Sequence, residues 1–228
     1  MSAPKILIAG FGRFPGAPVN PSGLVATRLG VRRRPALAAT RRVSHVFATR
    51  YASVDRDLPA LLEREMPDIV LLFGVATRTR RLRIEELARN RMSVLFPDAG
   101  GSHPTRLAIA PGRPALRNPR PVERLVRAAG SVGVPAARSR NAGTYLCNYI
   151  YWRALEAARM PAGPRLVAFV HVPPIRIKPR PAGERRQSAW GVGELVRAGE
   201  AILVAMMVLA REQRAATLAP RPKQMVSS

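Results

Sequence analysis

The sequence predicts an α/β fold, with helices packed on a largely parallel sheet in a single domain. Three apolar runs, Lys5–Phe11, Asp68–Gly74 and Leu166–Val172, are hydrophobic almost throughout, as strands buried on both faces are. Helix-patterned segments lie between them. No internal repeat or linker divides the 228 residues, a length suited to one medium-sized core. The domain is placed at 1–214, followed by a flexible tail over 215–228.

The first strand runs into a glycine-rich turn, Gly10-Phe-Gly-Arg-Phe-Pro-Gly16, and Asn20-Pro-Ser22 leads into a short helix. This loop lacks the Walker lysine and the GxGxxG spacing, so it is not read as a phosphate cradle. Phe11 and Phe14 instead suit the wall of a small-molecule pocket. Residues 31–42 read as an arginine- and alanine-rich surface connection, and Val43–Thr49 as a strand. Ser53 is expected to cap a helix through Leu62 that ends near Pro67. The loop from Val75 to Arg83 carries four arginines. Ile84–Asn90 reads as a short turn or edge segment, and Ser93–Phe96 as a strand stopped by Pro97. An amphipathic helix over Val122–Ala129 and a short strand over Val134–Ser139 follow. A basic, proline-containing loop covers 175–187, and a final helix runs from about Ser188 to Arg211.

Composition narrows the function. One cysteine excludes an internal disulfide framework and suits a cytoplasmic protein. The longest apolar run, Ala201–Ala210, is far below the ~20 residues of a membrane span, so no membrane partner is expected. The net charge of +24 would suit a nucleic-acid partner. The arginines are nevertheless scattered rather than gathered in one tail, and nucleic acid is not the expected partner.

The chemistry centres on Asn141-Ala-Gly-Thr-Tyr-Leu-Cys147-Asn148, where a glycine-bearing loop turns into a helix. With Thr144 as N-cap, Cys147 falls in the first helical turn, where unpaired backbone N–H groups and the helix dipole favour a thiolate. Leu146, Ile150, Ala154 and Ala157 recur at helical spacing and mark the inward face. Taken singly, a lone cysteine is more often a small buried apolar residue. His171 at the end of one strand and Glu85 shortly after another change that weighting. All three can meet in the crevice at the strand ends, and their types are those of thiol acyl transfer.

Phe169-Val-His-Val-Pro173, Ala142-Gly-Thr-Tyr-Leu-Cys-Asn148, Glu85-x-x-Ala88-x-Asn90, and Gly10-Phe-Gly-x-Phe14 followed by Asn20-Pro-Ser22 resemble the pyroglutamyl peptidase I family. That family comprises cysteine peptidases that remove an N-terminal pyroglutamate. The resemblance spans residues 4 to 210. It implies a three-layer αβα sandwich with a mostly parallel mixed sheet, a homodimer or homotetramer, and neither metal nor cofactor. It implies Cys147 as nucleophile, His171 as general base and acid, and Glu85 as the carboxylate that orients the imidazole. Phe11, Phe14, Phe96, Tyr145 and Leu146 match substrate-pocket positions, and the implied partners are peptides with N-terminal pyroglutamate. The chain departs from the family pattern at Val75, Thr77, Arg78, Leu95 and Ala99, which replace glutamine, two glycines, arginine and asparagine. Two other readings stand beside this one. One keeps the triad and assigns it another small N-acyl or lactam amide; the other takes the scaffold as a non-catalytic basic nucleic-acid-binding protein.

Overall fold

The computed structural model describes residues 3–175 and 190–218, with the side chains described through 216. In chain order, β1 (Lys5–Phe11) leads into α1 (Pro21–Gly30) and β2 (Arg41–Phe47), and α2 (Tyr51–Glu65) into β3 (Ile69–Val75). β4 (Leu82–Glu85), β5 (Leu87–Arg89) and β6 (Ala115–Arg117) precede α3 (Glu123–Ser131) and β7 (Ala136–Ser139). α4 (Leu146–Ala157), β8 (Leu166–Val172) and α5 (Val192–Leu218) complete the chain.

The main sheet has strand order β2-β1-β3-β8-β4-β7. The first four strands run parallel, β4 lies antiparallel to β8, and β7 runs parallel to β4. The sheet is mixed and mostly parallel. β5 and β6 form a separate antiparallel ribbon.

Side chains alternate across each strand, so one sheet serves two cores. Ile6 and Ile8, Ile69, Leu71 and Phe73, and Leu166, Ala168 and Val170 pack with Val25, Leu29, Leu125, Ile202 and Met206 of α1, α3 and α5. The opposite face, with Leu7, Ala9, Val70, Leu72, Val167 and Phe169, packs with Val54, Leu58, Ile150 and Leu155 of α2 and α4. The result is an αβα sandwich, and burial on both faces explains why the central strands read as continuous apolar runs.

Several local expectations are corrected. No strand forms over Ser93–Phe96; that segment is a loop, held by Ser93 N–H donating to Thr144 O at 2.6 Å. Ile84–Asn90 is not an edge turn, because Ile84 and Glu85 belong to β4, inside the main sheet, and Leu87–Arg89 is a ribbon strand. Ser53 does not cap α2; the first helical N–H, that of Tyr51, donates to Asp98 Oδ2 at 3.0 Å from a remote loop. Tyr145 rather than Thr144 is the N-cap of α4, in extended conformation and without a side-chain cap bond. α4 is also buried nearly all round, with Tyr149, Tyr151 and Trp152 as well as Ile150 inside, because the β5–β6 ribbon covers the side turned from the sheet. α5 runs through Leu218, so helix continues into the segment expected as a tail. The loop at 175–187 and the tail beyond 218 lie outside the described residues, apart from Ile175, which bridges to Trp190.

Candidate active site

His171 is the sixth residue of β8, and alternation turns it to the same face as Val167 and Phe169. Its parallel neighbour in β3 is Gly74, and its antiparallel neighbour in β4 is Arg83. Two residues beyond Arg83, and therefore on the same face, lies Glu85, fully buried at the end of β4. Its Oε1 accepts a hydrogen bond from His171 Nδ1 at 2.8 Å. Oε2 accepts from the backbone N–H of Asn141 at 3.2 Å, at the start of the cysteine loop. Tyr151 Oη donates to the Glu85 carbonyl at 2.8 Å, tying α4 to the same strand.

Cys147 enters from α4. Gly143, at φ +83°, takes the left-handed conformation that turns the loop, a region glycine occupies without a Cβ penalty. Tyr145 and Leu146 follow, and Cys147 is the second helical residue, its thiol beside the His171 imidazole at the same cavity. Because Nδ1 is taken by Glu85, the imidazole meets the thiol through Nε2. Burial alone would lower the proton affinity of His171. The hydrogen bonds to Cys147 and Glu85, with their charges, outweigh burial and push it up to about 9. At neutral pH the imidazole therefore holds its proton.

The thiol and imidazole face a cavity of about 180 Å³ lined by Phe11, Phe14, Val75, Tyr145, Leu146 and the Asn20–Thr49 side. The polar side chains on that side are already satisfied, since Asn20 Nδ2 and Thr49 Oγ1 both donate to Gly12 O, at 2.9 and 3.1 Å. A ligand therefore meets mostly apolar walls. Such a space suits a small, uncharged ring rather than a drug-sized molecule. Larger surface hollows, at Arg120–Glu212 and at Arg34–Ala205, contain neither thiol nor imidazole.

The sequence profile of the pyroglutamyl peptidase family matches residues 4–193. The chain belongs to the pyroglutamyl peptidase family. The pyrrolidone-carboxylate peptidase of Gloeobacter violaceus is 33% identical over 171 residues, 74% of this chain and 81% of that protein. That of Cupriavidus pinatubonensis is 31% identical over 212 residues, 91% of this chain and 96% of its own. Among solved structures, pyrrolidone carboxyl peptidase from Thermococcus litoralis matches with a TM-score of 0.79 at 25% identity, covering 92% of this chain and 96% of that one. Pyroglutamyl peptidase I from Bacillus amyloliquefaciens matches at 0.75 and 27%, covering 90% and 95%.

Of the residues that the likeness to pyroglutamyl peptidases singled out, Glu85, Cys147 and His171 lie together, and Phe11, Phe14, Tyr145 and Leu146 line the cavity beside them. Phe96 does not line it: its side chain is 64% exposed, on the loop that Tyr145 Oη fastens by donating to Pro97 O. The motif asparagines prove to be clamps. Asn90 Nδ2 donates to Ala110 O and Arg113 O, while its Oδ1 accepts from Ile109 and Ala110 N–H. Asn148, fully buried, donates to Arg89 O and Arg91 O and accepts from Arg89 N–H. Asn20, Thr49 and Ala142 join the cavity wall unpredicted; Asn20 and Ala142 stood inside recognised motifs, whereas nothing in the sequence marked Thr49. Among the described residues, no group of three His, Cys, Asp or Glu side chains could hold a metal ion.

Proposed function

We propose that the chain is a cysteine exopeptidase that hydrolyses the amide bond after an N-terminal pyroglutamyl residue. Cys147 Sγ attacks the pyroglutamyl carbonyl while His171 Nε2 holds the thiol proton. Glu85 fixes the imidazole with Nε2 toward the sulfur. The carbonyl oxygen gains charge as the C–S bond forms. The free N–H groups at the start of α4 are the candidates to stabilise it. Collapse breaks the C–N bond; the imidazolium gives its proton to the departing amine, leaving a thioester on Cys147. Water then attacks the thioester, passing a proton to His171, and free pyroglutamate leaves as the thiol is restored.

The observation that carries this reading is the chain of contacts from Glu85 through His171 to Cys147 at the edge of a small apolar cavity. A pyroglutamyl group is neutral because its amine is locked in the lactam, so apolar walls suit it and no acid is needed to receive an ammonium. Phe11, Phe14, Tyr145 and Leu146 are assigned as those walls. A homodimer or homotetramer and a cytoplasmic location complete the proposal. The single cysteine supports that location, and no described helix is long and apolar enough to cross a membrane. Light scattering on the purified chain tests the subunit count.

The deciding experiment is release of a fluorogenic amine from its pyroglutamyl amide by the wild type and Cys147→Ala. The expected result is turnover by the wild type that the variant and prior iodoacetamide treatment abolish. Equal turnover by folded Cys147→Ala would overturn the nucleophile assignment. Faster turnover of other N-acyl amides would move the specificity elsewhere.

A further inference from the structure

The Glu85 carboxylate has a third partner that no step above uses. Arg83 Nη2 lies 3.3 Å from Glu85 Oε1, the oxygen that accepts from His171. The same guanidinium donates to Ser139 Oγ from Nε at 3.2 Å and from Nη2 at 2.6 Å, and Nη2 also reaches Asn141 O. One side chain thus touches the triad carboxylate, the end of β7 and the first residue of the cysteine loop. We propose that Arg83 is a positioning residue of the catalytic triad, registering the Glu85–His171 pair against the loop that presents Cys147. This rests on the peptidase reading above.

Three features favour a role over a solvated surface arginine. Arg83 stands directly across the β4–β8 ladder from His171, so its side chain starts on the triad's face of the sheet. It is only 30% exposed, while Arg78, Arg80 and Arg81 of the preceding loop are open to solvent. Its planar fork meets acceptors on two segments at once, which an ammonium on a flexible stem cannot reproduce. Electrostatically it opposes its neighbours. Among the described residues, the charged or titratable groups around His171 are Glu85 and Arg83 on β4 and Cys147 on α4. Tyr151 of α4, kept protonated by burial, completes the set. Arg83 is the cation of this group besides the imidazolium itself, so it restrains protonation of His171 that Glu85 and Cys147 promote.

The test uses Arg83→Met and Arg83→Lys in the full chain, with pH profiles of kcat/KM and an NMR titration of His171. The chain has three histidines, which makes the resonance assignable. In Arg83→Met, kcat is expected to fall about tenfold with KM little changed. The His171 titration and the alkaline limb are expected to move up by about half a pH unit. Arg83→Lys keeps the charge, so it should restore the titration but only part of kcat. A Met variant with wild-type kcat and wild-type His171 titration overturns the proposal. So does a Lys variant no better than Met on either readout. Should the wild type fail to cleave the pyroglutamyl amide, the peptidase reading falls. The His171 titration still decides whether Arg83 governs the imidazole.

Discussion

Gly74 and Cys147 meet with no room between them: a Cβ added at Gly74 would lie 2.7 Å from Cys147 Sγ. It would also lie 2.7 Å from Cζ of Phe169. The thiol therefore occupies the space a side chain at 74 would need. Gly74 is also the register neighbour of His171 across β3 and β8, so the gap opens at the triad.

Gly74→Ala should accordingly damage activity more than stability. Overpacking costs about 1–3 kcal/mol, and relief comes most easily by moving the Cys147 side chain. The expected result is a folded protein, slightly weaker in urea, with turnover reduced at least about tenfold and slower thiol alkylation. Unchanged alkylation and turnover would show that the sulfur can give way without loss.

The raised His171 predicts a pH-dependent stability. An unfolded histidine titrates near 6.5, whereas folded His171 holds its proton to about 9. Its contribution is therefore fully present below about pH 6.5 and lost as pH rises through 9. Glu85→Gln removes one of the anions responsible. The variant's unfolding free energy should decline less over that window than the wild type's. Urea unfolding at several pH values checks this, and parallel declines would contradict it.

Asn148→Ala should act through the scaffold. The side chain satisfies Arg89 N–H, Arg89 O and Arg91 O, all at 2.8–3.0 Å from a buried amide. Leaving those groups unpaired costs about 2–4 kcal/mol. Denaturant unfolding should show that loss, and amide exchange should rise at Leu87–Arg89 more than in β1 or β3.

Phe14→Ala should separate binding from folding. The ring is half-buried against the cavity and outside both main cores, so its loss removes ligand contact more than core packing. KM is expected to rise about tenfold with kcat changed less. Stability should change by less than about 1 kcal/mol. An unaltered KM would remove Phe14 from the substrate wall.

The sequence by itself determined the α/β class, the three central strands to within a residue, and the residue types at the site. Strands buried on both faces leave an unbroken apolar signature, and β1, β3 and β8 carry it. Reactive side chains such as Cys147 and His171 stand out because their chemistry is rare in such surroundings. Tertiary structure alone decided how these parts are supported. Glu85 looked like part of a turn because β4 is short and carries an arginine. Its burial follows from insertion between β8 and β7, strands distant in sequence. Asp98 caps α2 from a loop more than forty residues away, and no local cap signal exists at Arg50. The empty place at Gly74 and the reach of Arg83 to Glu85, Ser139 and Asn141 likewise depend on segments far apart in the chain. Periodicity and local propensity report what a segment does with its neighbours in sequence. Contacts between separate segments arise only when the sheet order brings them together.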